Sequence, residues 1–236
     1  MTPLSPRLNV AASLVSGDVL IDVGTDHGFL PCYLVGGGAC KKAYACDIAE
    51  GPLSSAKAAI ARERLDGKVV PVLSDGLLGL DKSAAEEATD IVIAGMGGEL
   101  IAEIIAKGAD AGKLNRSARL ILQPNTKVPF LRVFLAENGY RILSETAVRD
   151  GRFIYTVICA EFSGDVTAPD KLSAAVGRLD PRDETAREYL EKETEKLRTA
   201  AKGMAASSAD APQKQAEKLI SLADGIQSYI ETETSK

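Results

Sequence analysis

The feature that most constrains the fold is an alternation of short β-rich runs with helical stretches over residues 1–162. The runs with strand character cover residues 18–24, 42–48, 68–75, 90–96 and 118–124. Several are apolar along their whole length, which is typical of parallel strands covered on both faces. The helical patterns cover residues 29–36, 51–65, 98–107 and 126–138. This order predicts an α/β fold with an open, doubly wound parallel sheet.

Two further strands, residues 140–148 and 153–161, close this region. The four residues between them, 149–152, leave no room for a helix. A short turn between two strand patterns is a hairpin signal, so the last strand of the sheet is expected to be antiparallel.

Beyond residue 162 the sequence changes character. Residues 163–169 have the composition of a linker, and two helical patterns follow, separated by a polar breaker at 207–212. The first pattern has an apolar stripe with Glu193 as its one polar member: Ala186, Leu190, Leu197, Ala200 and Met204. The second has a complete stripe: Ala216, Leu219, Ala223, Ile226 and Ile230. Facing stripes predict an antiparallel, coiled-coil-like helical hairpin. The chain therefore divides into domains 1–162 and 163–236, and the alanine-rich hairpin is expected to lean on the first domain or on a partner.

Ligands of open α/β sheets bind beyond the carboxyl ends of the strands, and four strand ends here carry glycine and aspartate. These residues are Asp22, Gly24, Asp26, His27 and Gly28, then Asp47 and Ile48, then Asp75 and Gly76, and finally Gly95 and Met96. Glycines let a backbone loop approach a ligand closely. An acid in the position of Asp47 accepts hydrogen bonds from ribose hydroxyls, and Asp75 is placed to meet an adenine amino group. One such loop is equally explained as a tight turn, but four neighbouring ends predict a nucleoside-bearing cofactor.

The first glycine loop distinguishes between two such cofactors. The G-x-G-x-x-G pattern of dinucleotide folds is absent, because Asp26 stands where the second glycine would admit a pyrophosphate. The carboxylates of Asp22 and Asp26 would repel a pyrophosphate, whereas they tolerate a positive sulfonium. The predicted cofactor is S-adenosyl-L-methionine.

Composition excludes several classes of protein. No apolar run reaches the about 18–20 residues that span a bilayer, and residues 1–7 lack the layout of a signal peptide. Four cysteines without CxxC spacing and a single histidine argue against a disulfide framework and a metal centre. We expect a cytoplasmic protein with free thiols, without membrane or metal, and take a monomer as the working expectation.

Charge is unevenly distributed along the chain. The formal net charge is −5, but residues 107–152 hold nine Lys and Arg against four acids. A polyanion responds to the potential at one face and not to the total charge. This stretch therefore predicts a nucleic-acid-binding surface beside the strand ends, with a solvated surface of mixed charge as the alternative.

Six segments of this sequence, taken together, resemble one family. They are LSPRL (4–8), DVGTDHGFLP (22–31), DIAEGPLSSA (47–56), SDGL (74–77), IAGMGGELI (93–101) and LILQPN (120–125). The chain is similar in these segments to the bacterial tRNA (adenine-22 N1)-methyltransferases of the TrmK type. The resemblance implies a Rossmann-like class I methyltransferase fold, methyl transfer to N1 of an adenine in the D-arm region of tRNA, and a C-terminal coiled-coil domain that assists tRNA binding. Asp47 departs from the glutamate that the family more often has, and Gly28-Phe29 replaces its Ala-Tyr; the shorter acid moves the ribose contact slightly.

The chemistry follows from this acceptor. Adenine N1 carries a lone pair and no proton, so it attacks a methyl group without a general base, and the product is cationic. Positioning and a carboxylate near the developing charge are what the site has to supply. Asp26 is the predicted carboxylate, with capping of the helix that starts near Gly28 as its alternative. Asn125 is predicted to hydrogen-bond the adenine edge, with capping of the next helix as its alternative.

Four other residues have two interpretations each. His27 is predicted to contact the cofactor or the substrate, or else to orient a neighbour. Met96 and Phe29 flank an extruded base or belong to the core. Arg7 approaches the cofactor carboxylate or RNA, or is a solvated N-terminal charge. Two rival functions use the same cofactor loops: a methyltransferase of small molecules or other RNA, and a non-catalytic interaction protein.

Overall fold

The computed structural model describes residues 2–205 and 210–235. The strands in these ranges are β1 (Val19–Val23), β2 (Lys42–Asp47), β3 (Val69–Leu73), β4 (Asp90–Gly97), β5 (Arg119–Thr126), β6 (Tyr140–Asp150) and β7 (Phe153–Phe162). The helices are α1 (Pro6–Leu14), α2 (Phe29–Gly36), α3 (Glu50–Arg62), α4 (Lys82–Glu87), α5 (Gly98–Asp110), α6 (Val128–Glu137), α7 (Lys171–Val176), α8 (Glu184–Ala205) and α9 (Asp210–Thr234).

The strands form one seven-stranded sheet in the order β3-β2-β1-β4-β5-β7-β6. The strands β1 to β5 are parallel, and β7 is antiparallel to both of its neighbours. This confirms the predicted α/β sheet with an antiparallel last strand. The chain reverses its direction of winding between β1 and β4, so the carboxyl ends of these two strands border the crevice in which ligands of such folds bind.

Apolar side chains cover both faces of the sheet. Leu20 and Val92 pack on the layer that includes α1, α2 and α3, whereas Ile21 and Ile91 pack on the layer of α5 and α6. Successive residues of a strand point to opposite faces, and here both faces are buried. The continuous apolar runs of the sequence therefore have the cause expected of parallel strands.

Three helices were not predicted from the sequence. Helix α1 has only nine residues and a weakly patterned sequence, and α4 and α7 have six each. Asp81 and Asp170 cap the two shortest helices by accepting hydrogen bonds from Ala84 N and Ser173 N. The capping signal was present, but one turn and a half of helix is too short for an amphipathic pattern to show.

The helical hairpin forms, with a seam that differs from the predicted one along α8. Ala186 and Leu190 are buried as expected, but Ala200 and Met204 are exposed, and Thr194 and Ala201 are buried instead. An α-helix has 3.6 residues per turn, so its buried face drifts away from a strict heptad pattern. Of the predicted breaker, residues 207–209 lie outside the described residues. Residues 210–212 form the first turn of α9, where a proline is tolerated.

A buried ion pair joins the C-terminal helices to the sheet. Arg132 of α6 pairs with Glu145 of β6 at 2.6 Å, and the guanidinium also donates to the carbonyl oxygens of Ala174 and Ala175 at 2.8 and 2.7 Å. The backbone N–H of Arg178 donates to the same glutamate at 3.1 Å. The hairpin itself packs on Ala147 and Ile154 of the sheet, among other residues. The expectation that the hairpin leans on the first domain is therefore confirmed.

Candidate active site

A cavity of about 230 Å³ opens beyond the carboxyl ends of β1 and β4. It brings together seven of the residues that the sequence singled out. The predicted residues in its lining are Arg7 from α1, Asp22, Gly24, Asp26, His27, Phe29 and Gly95. The cavity lies at the switch point of the sheet, where the fold itself places ligands.

The loop after β1 is held against β2 by its backbone. Gly24 N and Thr25 N both donate to Cys46 O at 2.9 Å. Gly24 has a φ of +74°, and a Cβ there would meet the methyl group of Met96. Glycine is therefore required for the loop to turn beside Met96.

Asp26 lies at the rim of the cavity in a left-handed conformation, with φ +52°. This conformation costs a non-glycine residue about 1–2 kcal/mol. Its side chain is 71% exposed, and Oδ1 lies 3.6 Å from Nε2 of His27. Helix α2 begins after Gly28 without any side-chain cap, so the capping alternative for Asp26 is wrong. A strained backbone conformation that does not serve to cap a helix is typical of functional loops.

Asp22 lies buried in the same cavity. Its burial raises the pKa of the carboxyl from 3.8 to about 6, while a hydrogen bond from Thr25 opposes this rise and the nearby charge of Asp47 adds to it. A positively charged group of a ligand bound here would favour the ionised carboxylate. The site is therefore suited to a cationic ligand group and unsuited to phosphate.

Asp47 connects the loops after β1 and β2. Its Oδ1 accepts a hydrogen bond from Ala49 N at 3.0 Å, and its Oδ2 accepts one from Asp26 N at 3.3 Å. The adjacent Ile48 is 69% exposed, so an apolar surface lies next to this carboxylate. Asp75 and Gly76 lie further along the same sheet edge, after β3, outside the cavity.

The ends of β4 and β5 are joined by side-chain amides. Gln123 Oε1 accepts a hydrogen bond from Gly95 N at 3.1 Å, and Asn125 Nδ2 donates to Gly95 O at 2.7 Å. Lys127 occupies the N-cap position of α6, which has no side-chain cap. The capping alternative for Asn125 is therefore wrong, and this side chain contacts Gly95 and Arg7, which both line the cavity.

Arg7 completes this wall. Its Nη1 donates to Gln123 Oε1 and to Asn125 Oδ1, both at 3.2 Å. Its Nε lies 3.4 Å from Asp150 Oδ2, and its guanidinium lies over the ring of Tyr155, 5.3 Å from the centroid. The interpretation of Arg7 as a solvated terminal charge is wrong.

Sequence reasoning missed the contribution of the β6–β7 hairpin to this site. Asp150 and Tyr155 contact Arg7, and Phe153 at the tip is 51% exposed, with Arg152 over its ring at 4.8 Å. The turn was recognised, but its position beside the cofactor loops depends on the insertion of β7 between β5 and β6. Only aromatic residues next to a basic turn hinted at a binding role.

Three predicted residues have packing contacts at the margin of the cavity. A Cβ on Gly28 would lie 3.0 Å from that of Ala56, so this glycine allows α2 to approach α3 closely. Met96 packs partly against the core beside Gly24. Phe29 lines the cavity and stacks on His27 with ring centroids 5.1 Å apart.

The basic stretch 107–152 does not form one surface. Arg132 is buried in its ion pair, and Arg119 pairs with the buried Asp90 at 2.5 Å. The chain crosses between the two ends of the strands within this stretch, so only three members lie at the end that holds the candidate site: Lys127, Arg149 and Arg152. The predicted continuous basic surface is therefore wrong, and Arg149 is itself paired with Glu188.

Within residues 2–205 and 210–235, no group of three or more His, Cys, Asp or Glu side chains has an arrangement that could hold a metal ion. In the same ranges no helix combines the length and apolarity needed to cross a membrane. The four cysteines are buried and unpaired.

Comparison with known proteins defines the class first. The family described as a methyltransferase domain matches residues 4–158, so this chain belongs to it. The tRNA (adenine(22)-N(1))-methyltransferase of Bacillus subtilis is 37% identical over 177 residues, which are 75% of this chain and 72% of that protein. The chain is accordingly a member of the tRNA (adenine(22)-N1)-methyltransferase, or TrmK, family.

The fold of this chain is similar to those of solved structures over nearly its whole length. The crystal structure of the B. subtilis m1A22 tRNA methyltransferase TrmK matches with a TM-score of 0.84 at 28% identity, covering 98% of this chain and 100% of that one. Streptococcus pneumoniae Sp1610, a putative tRNA (m1A22) methyltransferase in complex with S-adenosyl-L-methionine, matches with a TM-score of 0.81 at 31% identity. That match covers 95% of this chain and 98% of the other, so the C-terminal helices are included.

Proposed function

We propose that this protein transfers a methyl group from S-adenosyl-L-methionine to N1 of adenine 22 in tRNA. The observation that carries the proposal is the acidic cavity at the switch point of the sheet, in a chain that belongs to the TrmK family. The cavity has carboxylates where a pyrophosphate cofactor would need glycine and positive charge, which favours a sulfonium cofactor.

The residues of the cavity suit S-adenosyl-L-methionine. The buried Asp22 is placed to favour the amino group of the cofactor, because a cation there offsets the burial of its carboxylate. Outside the cavity, along the same edge of the sheet, Asp47 would accept hydrogen bonds from the ribose hydroxyls and Ile48 would offer an apolar surface for the adenine ring, with Asp75 further along. When bound, the cofactor supplies a methyl group activated by its positive sulfur.

The chain's own residues then position the acceptor. Adenine N1 attacks through its lone pair, so no side chain has to remove a proton. Asp26 presents an exposed carboxylate at the rim of the cavity, where it would stabilise the positive charge that develops on the adenine ring. The exposed amide of Asn125 is held in place by Arg7, the buried Gln123 and Gly95, and it offers a hydrogen bond to an adenine edge.

The target base has to leave its stack before N1 is accessible. The tip of the β6–β7 hairpin offers a surface for this step, because aromatic rings and guanidinium planes stack on unpaired bases. Phe153 and Tyr155 have ring centroids 6.1 Å apart at this tip, and Arg152 and Arg7 lie over them. This cluster, and not the whole stretch 107–152, is the proposed RNA contact of the catalytic domain.

We also propose that residues 1–162 form the catalytic domain and that residues 163–236 assist tRNA binding. Helix α8 lies next to the candidate site through the contact of Arg149 with Glu188. Unpaired cysteines and a tRNA substrate both suit the cytoplasm.

The experiment is to incubate the protein with methyl-labelled S-adenosyl-L-methionine and unmodified bulk tRNA, and to map the products by mass spectrometry. The proposal predicts N1-methyladenosine at position 22. Label in another nucleoside would make the protein an RNA methyltransferase of different specificity. Cofactor binding without label in RNA would favour a small-molecule methyltransferase or a non-catalytic interaction protein.

A further inference from the structure

A second cavity adjoins the site on the side of the C-terminal helices. It has a volume of about 230 Å³ and lies between the end of β5, the start of β7 and one face of α8. We call it the α8 cavity and define it by Asn125, Lys127, Tyr155, Thr156, Glu193 and Lys196. Asn125 and Tyr155 both contact Arg7, which lines the cofactor cavity. The two cavities therefore lie on either side of one layer of side chains.

Thr156 brings a polar group into the α8 cavity that the fold does not use. The residue is completely buried, and its Oγ1 has no hydrogen-bond partner among the described residues. A buried hydroxyl without a partner destabilises a protein, whereas a valine would fill the same space on the strand without this cost. The hydroxyl is explained if a ligand in the cavity supplies the missing partner.

Glu193 brings a carboxylate to the same cavity. The sequence placed it as the one polar member of an apolar stripe, and the buried face of α8 passes instead through Leu190 and Thr194. The side chain of Glu193 is thereby turned out of the seam and lines the cavity. Its Oε1 accepts a hydrogen bond from Lys196 at 2.5 Å, and a carboxylate has lone pairs for further donors.

Charge and size narrow the class of ligand. The side chains of Lys127 and Lys196 are mostly exposed, so two cations border a cavity that holds a carboxylate and a hydroxyl. A volume of about 230 Å³ has room for a single ring system. The hydrogen-bond acceptors in the cavity suit a nucleobase that carries donor groups. The cations at its border suit the phosphates of the backbone to which that base is attached.

We propose that the α8 cavity binds one unpaired nucleobase next to the target adenine, and that this base carries an exocyclic amino group. The amino group donates to Glu193, with Thr156 as its second partner, while Lys127 and Lys196 contact the adjoining phosphates. This inference rests on the proposed function. It assigns to α8 a direct role in holding the tRNA beside the catalytic site.

The first test compares variants of the full-length protein by steady-state methylation of a tRNA transcript. We expect Glu193→Gln to raise the KM for tRNA about tenfold and Thr156→Val to raise it about fivefold, as for lost hydrogen bonds to charged and neutral groups. Turnover at saturating tRNA and the Kd for the cofactor stay unchanged. Glu191→Gln is the matched control, because Glu191 is exposed on the same helix and does not line the cavity.

Two readouts separate a binding role from a structural one. Thr156→Val leaves thermal stability equal or higher, since it removes an unpaired buried hydroxyl, although it weakens tRNA binding. A lower Tm together with a higher KM in this variant would instead indicate a role in the fold and would overturn its part in the proposal.

The second test varies the RNA. The transcript carries amino-bearing bases at positions 21 and 23, and each is replaced in turn by the analogue without the amino group: purine riboside, inosine or pyrimidin-2-one riboside. We expect one replacement to raise the KM of the wild type about tenfold and to have no added effect in Glu193→Gln. Equal effects in both proteins, or none at either position, would overturn the inference. Methylation of the parent transcript by the wild type tests the proposed function separately, since its absence would contradict that function.

Discussion

The ion pair between Arg132 and Glu145 offers a sharp test of how the chain is held together. Substitution of Arg132 by methionine keeps an unbranched apolar stem but removes the cation and all of its donors. Glu145, whose side chain is 0% exposed, would then carry an uncompensated charge. The carbonyl oxygens of Ala174 and Ala175 would lose their hydrogen bonds from the guanidinium.

The size of the effect follows from this burial. Breaking a buried ion pair by removing one partner costs about 3–5 kcal/mol. In a protein of this length each kcal/mol shifts Tm by about 2–4 °C, so Arg132→Met is expected to lower Tm by roughly 6–20 °C. The double variant Arg132→Met/Glu145→Met should recover most of this loss, because apolar pairs replace buried ion pairs at little cost.

The assay is thermal unfolding for Tm and urea unfolding for the free energy, both followed by circular dichroism. The matched control is Arg141→Met, which removes an Arg–Glu pair with Glu161 in the same β6–β7 hairpin at a site where the arginine is 60% exposed. Surface pairs contribute about 0–1 kcal/mol, so the control should unfold almost like the parent protein. If Arg132→Met costs no more than Arg141→Met, the reasoning about the buried pair is refuted.

Three further predictions address the site and the domain junction. Because the folded-state pKa of Asp22 is raised from 3.8 to about 6, its contribution to stability is present at low pH and is lost as the pH rises through about 6. Asp22→Asn should therefore remove a change of about 3 kcal/mol in the unfolding free energy between about pH 4 and pH 7; an unchanged pH profile would show that Asp22 is not the group responsible. Asp26→Asn is expected to lower turnover by about two orders of magnitude with little change in the cofactor Kd measured by calorimetry. The control is Asp18→Asn, which changes an exposed carboxylate outside the cavity and leaves both quantities unchanged. Equal turnover in the parent protein and both variants would exclude the role of Asp26. Truncation after residue 162 should lower Tm more than truncation after residue 181, because only the shorter chain lacks the carbonyls that bind Arg132; equal Tm values would contradict this.

Local patterns predicted most of the sheet and the cofactor loops. Apolar runs identified several of the parallel strands, since burial on both faces leaves a strong signal in five to eight residues. The short turn at residues 149–152 identified β6 and β7. The acids and glycines after β1, β2 and β4 could be placed at one edge because parallel strands share their carboxyl ends. Asp22, Asp26 and Gly95 were found in this way.

Features that depend on the order of the strands could not be predicted. Arg132 and Arg119 look like surface charges in a basic stretch. In the structure Arg132 is buried in an ion pair with Glu145 of β6, and Arg119 is paired with Asp90 of β4. Tyr155 reaches the site only because β7 lies between β5 and β6. Glu193 was noticed as a polar break in an apolar stripe, yet its position beside Asn125 follows from the way the hairpin packs on the sheet. Sequence periodicity describes one element and carries no information on which element it meets.

The central claim is that N1 of adenine 22 is the atom that receives the methyl group. The most direct measurement uses two tRNA transcripts that differ only at position 22, with adenosine in one and 1-deazaadenosine, which has a carbon in place of N1, in the other. With methyl-labelled S-adenosyl-L-methionine, the account predicts label in the first transcript and none in the second. Equal labelling of both transcripts would place the methyl group on another atom and contradict the account.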